Sequence, residues 1–258
     1  MTTDATTSKG LQWKWISIGT IVGVILSLLL FSIMKSVFTG SDTVPRIISL
    51  LGFIVMGIVI GYKSPGYTIT EPALGGFLTI LITIPIFSSA LNYNPGTTEK
   101  VLAPVFGFLF ALLGGWVGEE LDHSEKGHDR FTWGSLEWGW IIAGTVMAFV
   151  LNNFFVFGFF ALLRFGTGGI LFSLAISFVL AGVIVGYKSP GVTIKEAAIA
   201  GVFSVVLNFL LLYIGFEGAI LPLDYMIGIL VGGFVLSLLG GWLGEKLQAF
   251  MENDKTEE

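Results

Sequence analysis

The sequence GYKSPGYTITEPALGG occupies Gly61–Gly76, and GYKSPGVTIKEAAIAG occupies Gly186–Gly201, 125 residues further along the chain. A second pair, LLGGWVGEEL at Leu112–Leu121 and LLGGWLGEKL at Leu238–Leu247, is identical at eight of ten positions at an offset of 126. Two matches at nearly the same offset indicate an internal repeat, which governs the interpretation of the whole fold. We therefore predict a tandem duplication.

The stretches between the repeated turns are strongly apolar. Of 258 residues, 54% are hydrophobic, 12% are charged and 35 are glycine, which is the composition of a polytopic membrane protein. Each copy contains four continuously apolar runs near the roughly 20 residues that span a bilayer, and continuous runs favour helices over barrel strands. The predicted helices are Trp15–Phe38, Arg46–Tyr62, Glu71–Leu91, Val101–Leu121, Trp138–Leu163, Gly169–Tyr187, Glu196–Gly215 and Tyr225–Leu247.

The predicted fold is an all-α, polytopic membrane helical bundle of eight transmembrane helices, made of two tandem four-helix repeats. Four spans return the chain to its starting side, so we expect the repeats in parallel orientation, related by a pseudo-two-fold axis along the membrane normal. The expected organisation is a cytoplasmic N-terminal tail at 1–12, a first repeat at 13–121, a charged cytoplasmic linker at 122–137, a second repeat at 138–247 and an acidic C-terminal tail at 248–258.

The distribution of lysine and arginine predicts the orientation. Nine of these residues fall on the side of the termini and four on the opposite side. Because positive residues are retained in the cytoplasm, both termini are expected to be cytoplasmic, in the inner membrane of a bacterium or archaeon. The net charge of −5 lies mostly in the linker and the C-terminal tail, so nucleic acid is not an expected partner.

The repeated turn has an architectural interpretation. Pro65 disfavours continued helix, and Thr68 and Glu71 have the spacing of a capping box for the next helix, with Thr70 as an alternative cap. Thr193 and Glu196 repeat that spacing in the second copy. A functional alternative is contact with an anionic lipid head group or an acidic partner through the lysines of the two turns. These candidates are Lys63, Lys188 and Lys195.

Small residues recur every four positions in the fourth and eighth helices. Such ridges let helix backbones approach closely in a membrane, so these two helices are expected to be the central, most buried pair. Gly228 and Gly232 are expected to extend the ridge of the eighth helix, and an alternative is that the glycines line a narrow path. The predicted packing residues are Gly107, Gly114, Gly115, Gly118, Gly233, Gly240, Gly241 and Gly244.

Chemical groups inside the spans are few. Ionisable residues are essentially missing from the span centres, which argues against proton relays and carboxylate ion sites. The linker histidines His123 and His128 fit no zinc or calcium spacing, and no catalytic motif is present, so we expect no metal, cofactor or enzymatic activity. Uncharged polar residues could line a solute path or bond between helices. They are Thr83, Asn152, Asn153 and Asn208.

These observations lead to two functional expectations. The first is a non-enzymatic structural or accessory subunit that packs against membrane lipids and other membrane proteins or itself. The second is a channel or facilitator for a small neutral solute or lipid along the pseudo-two-fold axis. A water-filled cavity on that axis would favour the channel, and a dry, glycine-packed centre would favour the accessory role.

Overall fold

The protein is an all-helical bundle, as the continuous apolar runs predict. The computed structural model describes residues 11–39, 43–65, 69–91, 93, 95–123, 132–133, 136–163, 167–189, 194–215 and 222–256. Its helices are α1 Trp13–Val37, α2 Thr43–Lys63, α3 Thr70–Ala90, α4 Thr97–His123, α5 Trp138–Leu163, α6 Thr167–Lys188, α7 Ile194–Gly215 and α8 Leu223–Thr256. All eight are long and apolar enough to cross a membrane. The prediction of eight spanning helices is therefore confirmed.

Two features of the secondary structure differ from the sequence-based expectation. α8 continues to Thr256 instead of ending near Leu247, because the polar residues that follow the apolar run are mostly good helix formers without glycine or proline. Between α4 and α5, β1 (Thr132–Trp133) pairs antiparallel with β2 (Leu136–Glu137). Strands of two residues are too short to produce a readable alternation of polar and apolar residues.

The closest helix contacts run between α2 and α4, and equally between α6 and α8. A methyl group on Gly57 or Gly61 of α2 would overlap the backbone of α4 between residues 111 and 115. In the second half, Gly182 and Gly186 of α6 stand in the same relation to residues 237–241 of α8. Because lipid provides no hydrophobic drive for helix association, this backbone-to-backbone approach provides the packing that replaces it.

The ridges therefore pair differently from the prediction. Gly114 of α4 lies against the carbonyl of Ile54 in α2, and Gly240 of α8 lies against the carbonyl of Val179 in α6. The expectation that α4 and α8 form the central, most buried pair is wrong: 67% of the span residues of α2 are buried, against 22% for α8. The periodicity of a ridge shows that a helix packs closely, but it does not identify the partner helix.

The ridge of α8 is also shorter than expected. A Cβ added to Gly228 or Gly232 would meet no atom within 4 Å among the described residues. By contrast, each of the eight predicted packing glycines lies where an added methyl group would crowd a neighbouring helix. The N-terminal part of α8 therefore presents open glycines, and close packing begins at Gly233 and continues to Gly244.

The first half (residues 13–123) and the second half (138–256) meet across an apolar interface. Val117 of α4 and Val146 of α5 belong to the same buried cluster at this boundary. Val117 is 0% exposed, whereas its counterpart Leu243 is 45% exposed; Val146 is 5% exposed, whereas its counterpart Ile21 is 60% exposed. A two-fold axis would bury both members of each pair equally. The burial therefore differs from what the predicted pseudo-two-fold axis requires, because two different surfaces meet.

Two glycines of α8 provide a matched test of this packing. We expect Gly240→Ala to lower the free energy of unfolding by about 1–3 kcal/mol, since the added methyl group would overpack the α6 backbone. Gly228→Ala is expected to leave stability unchanged or to raise it slightly, because the position is open and alanine favours helix. Unfolding in mixed detergent micelles, followed by tryptophan fluorescence, measures both. Equal losses in the two variants would contradict the described packing.

Candidate functional site

The repeated GYK turns come together at one end of the bundle. Lys188 Nζ at the end of α6 donates a hydrogen bond to Tyr62 Oη at 3.3 Å, across the boundary between the halves. Lys188 Nζ and Lys63 Nζ each lie 5.3 Å from the centroid of the Tyr62 ring. We call this end the turn end. It is where α2 and α6 finish and α3 and α7 begin.

Two of the three predicted lysines therefore share one aromatic ring. Lys63 and Lys188 are the last residues of α2 and α6, where the negative end of the helix dipole favours a cation. Attraction to the face of Tyr62 adds to that preference. Lys195 is exposed in the first turn of α7, and the described residues show no contact between it and Tyr62. The turn end thus presents two neighbouring cations, with a third on the first turn of α7.

Two buried carboxylates lie at the same end of the bundle, in the first turns of α3 and α7. Glu71 Oε1 accepts the backbone N–H of Gln12 at 3.2 Å, and Glu196 Oε1 accepts the backbone N–H of Glu137 at 3.3 Å. Glu71 is 5% exposed and Glu196 is 4% exposed. Gln12 and Glu137 directly precede α1 and α5, so each carboxylate caps the N-terminus of a neighbouring helix.

The predicted capping box uses the same two glutamates. In a capping box the carboxylate reaches back to its own helix. Among the described residues, Glu71 and Glu196 accept backbone N–H groups at the start of the adjacent helices. Thr68 and Thr193, the predicted hydroxyl partners, lie outside the described residues. The alternative cap, Thr70, donates its Oγ1 hydrogen to Glu71 Oε2 at 3.0 Å. Sequence spacing cannot distinguish a helix's own free N–H groups from those of its neighbour.

Further contacts bind the turn end together. Gln12 Nε2 donates to the carbonyl of Pro65 at 3.0 Å, which joins the start of α1 to the first repeated turn. Gly139, at the start of α5, leaves space for the carboxylate of Glu120, which a methyl group there would overlap. A carboxylate at a helix N-terminus is electrostatically favourable. The turn end therefore brings together helix ends, lysines and carboxylates.

The residues of the candidate polar path do not form one path. Asn153 Nδ2 donates to Asn208 Oδ1 at 3.0 Å, and Asn152 Nδ2 donates to Ser204 Oγ at 3.4 Å, so the three asparagines cluster between α5 and α7. Thr83 lies in the other half and bonds to the carbonyl of Ile80 in its own helix at 3.4 Å. The asparagines thus act as interhelical hydrogen-bonding groups.

The remaining candidates for chemistry are in the linker. His128 lies outside the described residues, as does the acidic stretch around it. In the part of the chain that the structure describes, no group of three or more histidine, aspartate or glutamate side chains could hold a metal ion. Sequence reasoning identified Glu71 and Glu196 as caps from their repeated spacing, but it missed that they cap the neighbouring helices α1 and α5.

Similarity to known proteins provides no functional assignment for this geometry. No family model matches the chain, and no curated protein or solved structure is significantly similar to it. The residues and their arrangement are therefore the only basis for a functional proposal.

Substitution of Glu196 tests the cross-helix cap. Glu196→Ala is expected to lower the free energy of unfolding by about 0.5–2 kcal/mol, because it removes the acceptor from the start of α5. Glu196→Gln keeps one acceptor oxygen and should cost less. Lys195→Ala, at the exposed neighbouring position, is the control and should change stability by less than about 0.5 kcal/mol. Unfolding in mixed micelles measures all three, and a Glu196→Ala value equal to the control would exclude the cap.

Proposed function

We propose that the chain is a non-enzymatic, multi-pass membrane protein that acts as a structural or accessory component. In this proposal two duplicated four-helix halves are inserted the same way up in a prokaryotic inner membrane, with both termini in the cytoplasm. The positive residues on the side of the termini support that orientation. The observation that carries the proposal is the apolar lining of the groove at the boundary between the halves.

That boundary holds a groove of about 240 Å³ whose lining, among the described residues, is entirely apolar. Its walls come from α2 and α4 on one side and from α5 and α7 on the other; examples are Leu51, Leu113, Val146 and Leu210. An apolar groove of this kind offers a polar solute no hydrogen-bonding groups, whereas a solute route uses polar groups along its length. The asparagine cluster lies between α5 and α7, and its amides are not among the described residues that line this groove. This distribution supports an accessory role over a channel.

α8 provides the surface that such a role needs. It is the least buried span, and Gly228 and Gly232 face a groove of about 400 Å³ between α6 and α8. Two glycines four residues apart permit the close approach of another membrane helix. The corresponding residues of α4 are the bulky Leu102 and Phe106. The open pair on α8 therefore supports docking of a partner protein at the second half.

Co-purification with matched variants tests the docking. After mild detergent extraction from cells that make the protein, a stoichiometric membrane partner is expected with the unchanged chain. The partner should be lost from a Gly228→Leu, Gly232→Leu double variant. It should be retained by Val231→Leu with Val235→Leu, which adds bulk at exposed positions of the same helix. Both double variants should keep the unfolding midpoint of the unchanged protein. Equal retention by both would remove the support from α8.

Solute flux tests the alternative function. Proteoliposomes that contain the purified chain are expected to show the same glycerol and water permeability as protein-free liposomes in stopped-flow swelling experiments. An increased permeability that Asn208→Leu abolishes would overturn the accessory role and support a facilitator. Asn208 is the informative position because its amide joins the α5–α7 cluster.

A further inference from the structure

A second groove lies between α2, α3 and α4, at the end of the bundle opposite the turn end. Its volume is about 460 Å³, within the range of roughly 300–1,000 Å³ that is usual for ligand pockets. The walls are almost entirely apolar, and Arg46 is the one charged residue among the described residues that line it. Other lining residues are Leu50, Ile80, Thr83, Phe87, Leu102 and Phe106.

An aromatic cluster lies beside Arg46 in the wall of this groove. The guanidinium of Arg46 lies 5.6 Å from the ring centroid of Tyr93, and Tyr93 lies 5.6 Å from Phe31. Phe31 stacks on Phe87 with ring centroids 4.4 Å apart, and Phe87 forms part of the groove wall. Lys35 Nζ is 6.0 Å from the Phe31 ring. Two cations therefore flank one buried aromatic cluster beside an apolar groove.

The second half shows that the architecture does not require this cluster. Leu171 occupies the position of Arg46, and Phe160 occupies that of Lys35. The equivalent groove between α6 and α8 forms without them, and Asp224 is among its lining residues. The same helix arrangement therefore forms with leucine at this position, so the helix packing itself does not require an arginine there.

We propose that the groove of the first half binds an anionic phospholipid, with an acyl chain along its apolar walls and the phosphate at Arg46. This deepens the proposed function by naming a lipid class for one surface. Arginine presents a planar fork of donors that matches phosphate oxygens, and Lys35 adds a second positive charge nearby. Arg46 lies in the first turn of α2, near the end of the span, where head groups lie.

The shape of the groove favours a lipid over a partner helix. Leu102 and Phe106 place large side chains on the α4 wall, and a rigid helix cannot approach closely over them. A flexible acyl chain can follow such an irregular surface. The groove of the second half has the opposite properties, with glycines on its wall and an acidic residue at its edge. The two grooves therefore fit different occupants.

An exchange of charge between the halves tests the proposal. The full chain is reconstituted with equal amounts of phosphatidylglycerol and phosphatidylcholine of identical acyl composition, and the lipids retained after detergent extraction are counted by native mass spectrometry. The unchanged protein should retain phosphatidylglycerol in about fivefold preference, the effect of one basic residue near an anionic surface. Arg46→Leu should abolish the preference, and Leu171→Arg should leave it intact or increase it.

A photoactivatable phosphatidylglycerol with a diazirine in its acyl chain locates the site independently. Cross-links are expected on the α4 peptide that contains Leu102 and Phe106, and they should decrease in Arg46→Leu. Unchanged lipid preference in a folded Arg46→Leu protein would overturn the proposal, as would equal cross-linking of both grooves or occupation of this groove by a co-purified protein. Solute flux would overturn the accessory role while leaving the lipid preference intact, so the two failures are distinguishable.

Discussion

The bundle depends on one type of contact, the close approach of helix backbones at glycines. It occurs between α2 and α4 and again between α6 and α8. Inside a bilayer, apolar side chains gain nothing by leaving lipid for protein, so helices associate through close packing. Gly61 and Gly115 on one side, and Gly186 and Gly241 on the other, bring helix backbones together at matching heights. α3 and α7 then pack on a second row of small residues, where Gly76 lies against Gly107 and Gly201 against Gly233. In each half the second and third helices thus pack on the fourth, and the first helix packs on the second and third.

The sequence predicts this arrangement only in part, for a physical reason. Continuous apolar runs and turn residues define the eight helices, because length and hydropathy are properties of a single segment. Small-residue periodicity correctly marks the close-packed faces of α4 and α8, but the choice of partner depends on where α2 and α6 carry their own glycines. Glu71 and Glu196 illustrate the same limit: their spacing indicates a cap, and only the packed helices show that the cap serves α1 and α5. Which helices pack together, and which helix a cap serves, cannot be predicted from the properties of a single segment.

Matching positions of the two halves carry some shared and some different residues. The residues that hold the backbones together occur in both halves, as do the capping carboxylates. Some polar side chains differ between the halves. The amide pair of Asn153 and Asn208 corresponds to Leu28 and Thr83, and Arg46 corresponds to Leu171. Close packing and helix capping are therefore common to both halves, whereas these amides and the guanidinium are not.

The boundary between the halves joins two different surfaces. Because α4 of the first half meets α5 of the second, α8 and α1 present the corresponding unpaired surfaces outward, and such head-to-tail contacts can propagate from chain to chain. At the internal boundary, Glu120 lies at the start of α5 beside Gly139. At the outer surfaces the same positions are Lys246 and Lys14. A further copy docked in the same way would place its Lys14 against Lys246, so two positive charges would replace a carboxylate at a helix N-terminus. Like charges at a potential contact disfavour that association, so this pair would oppose a head-to-tail contact of the same kind between two chains.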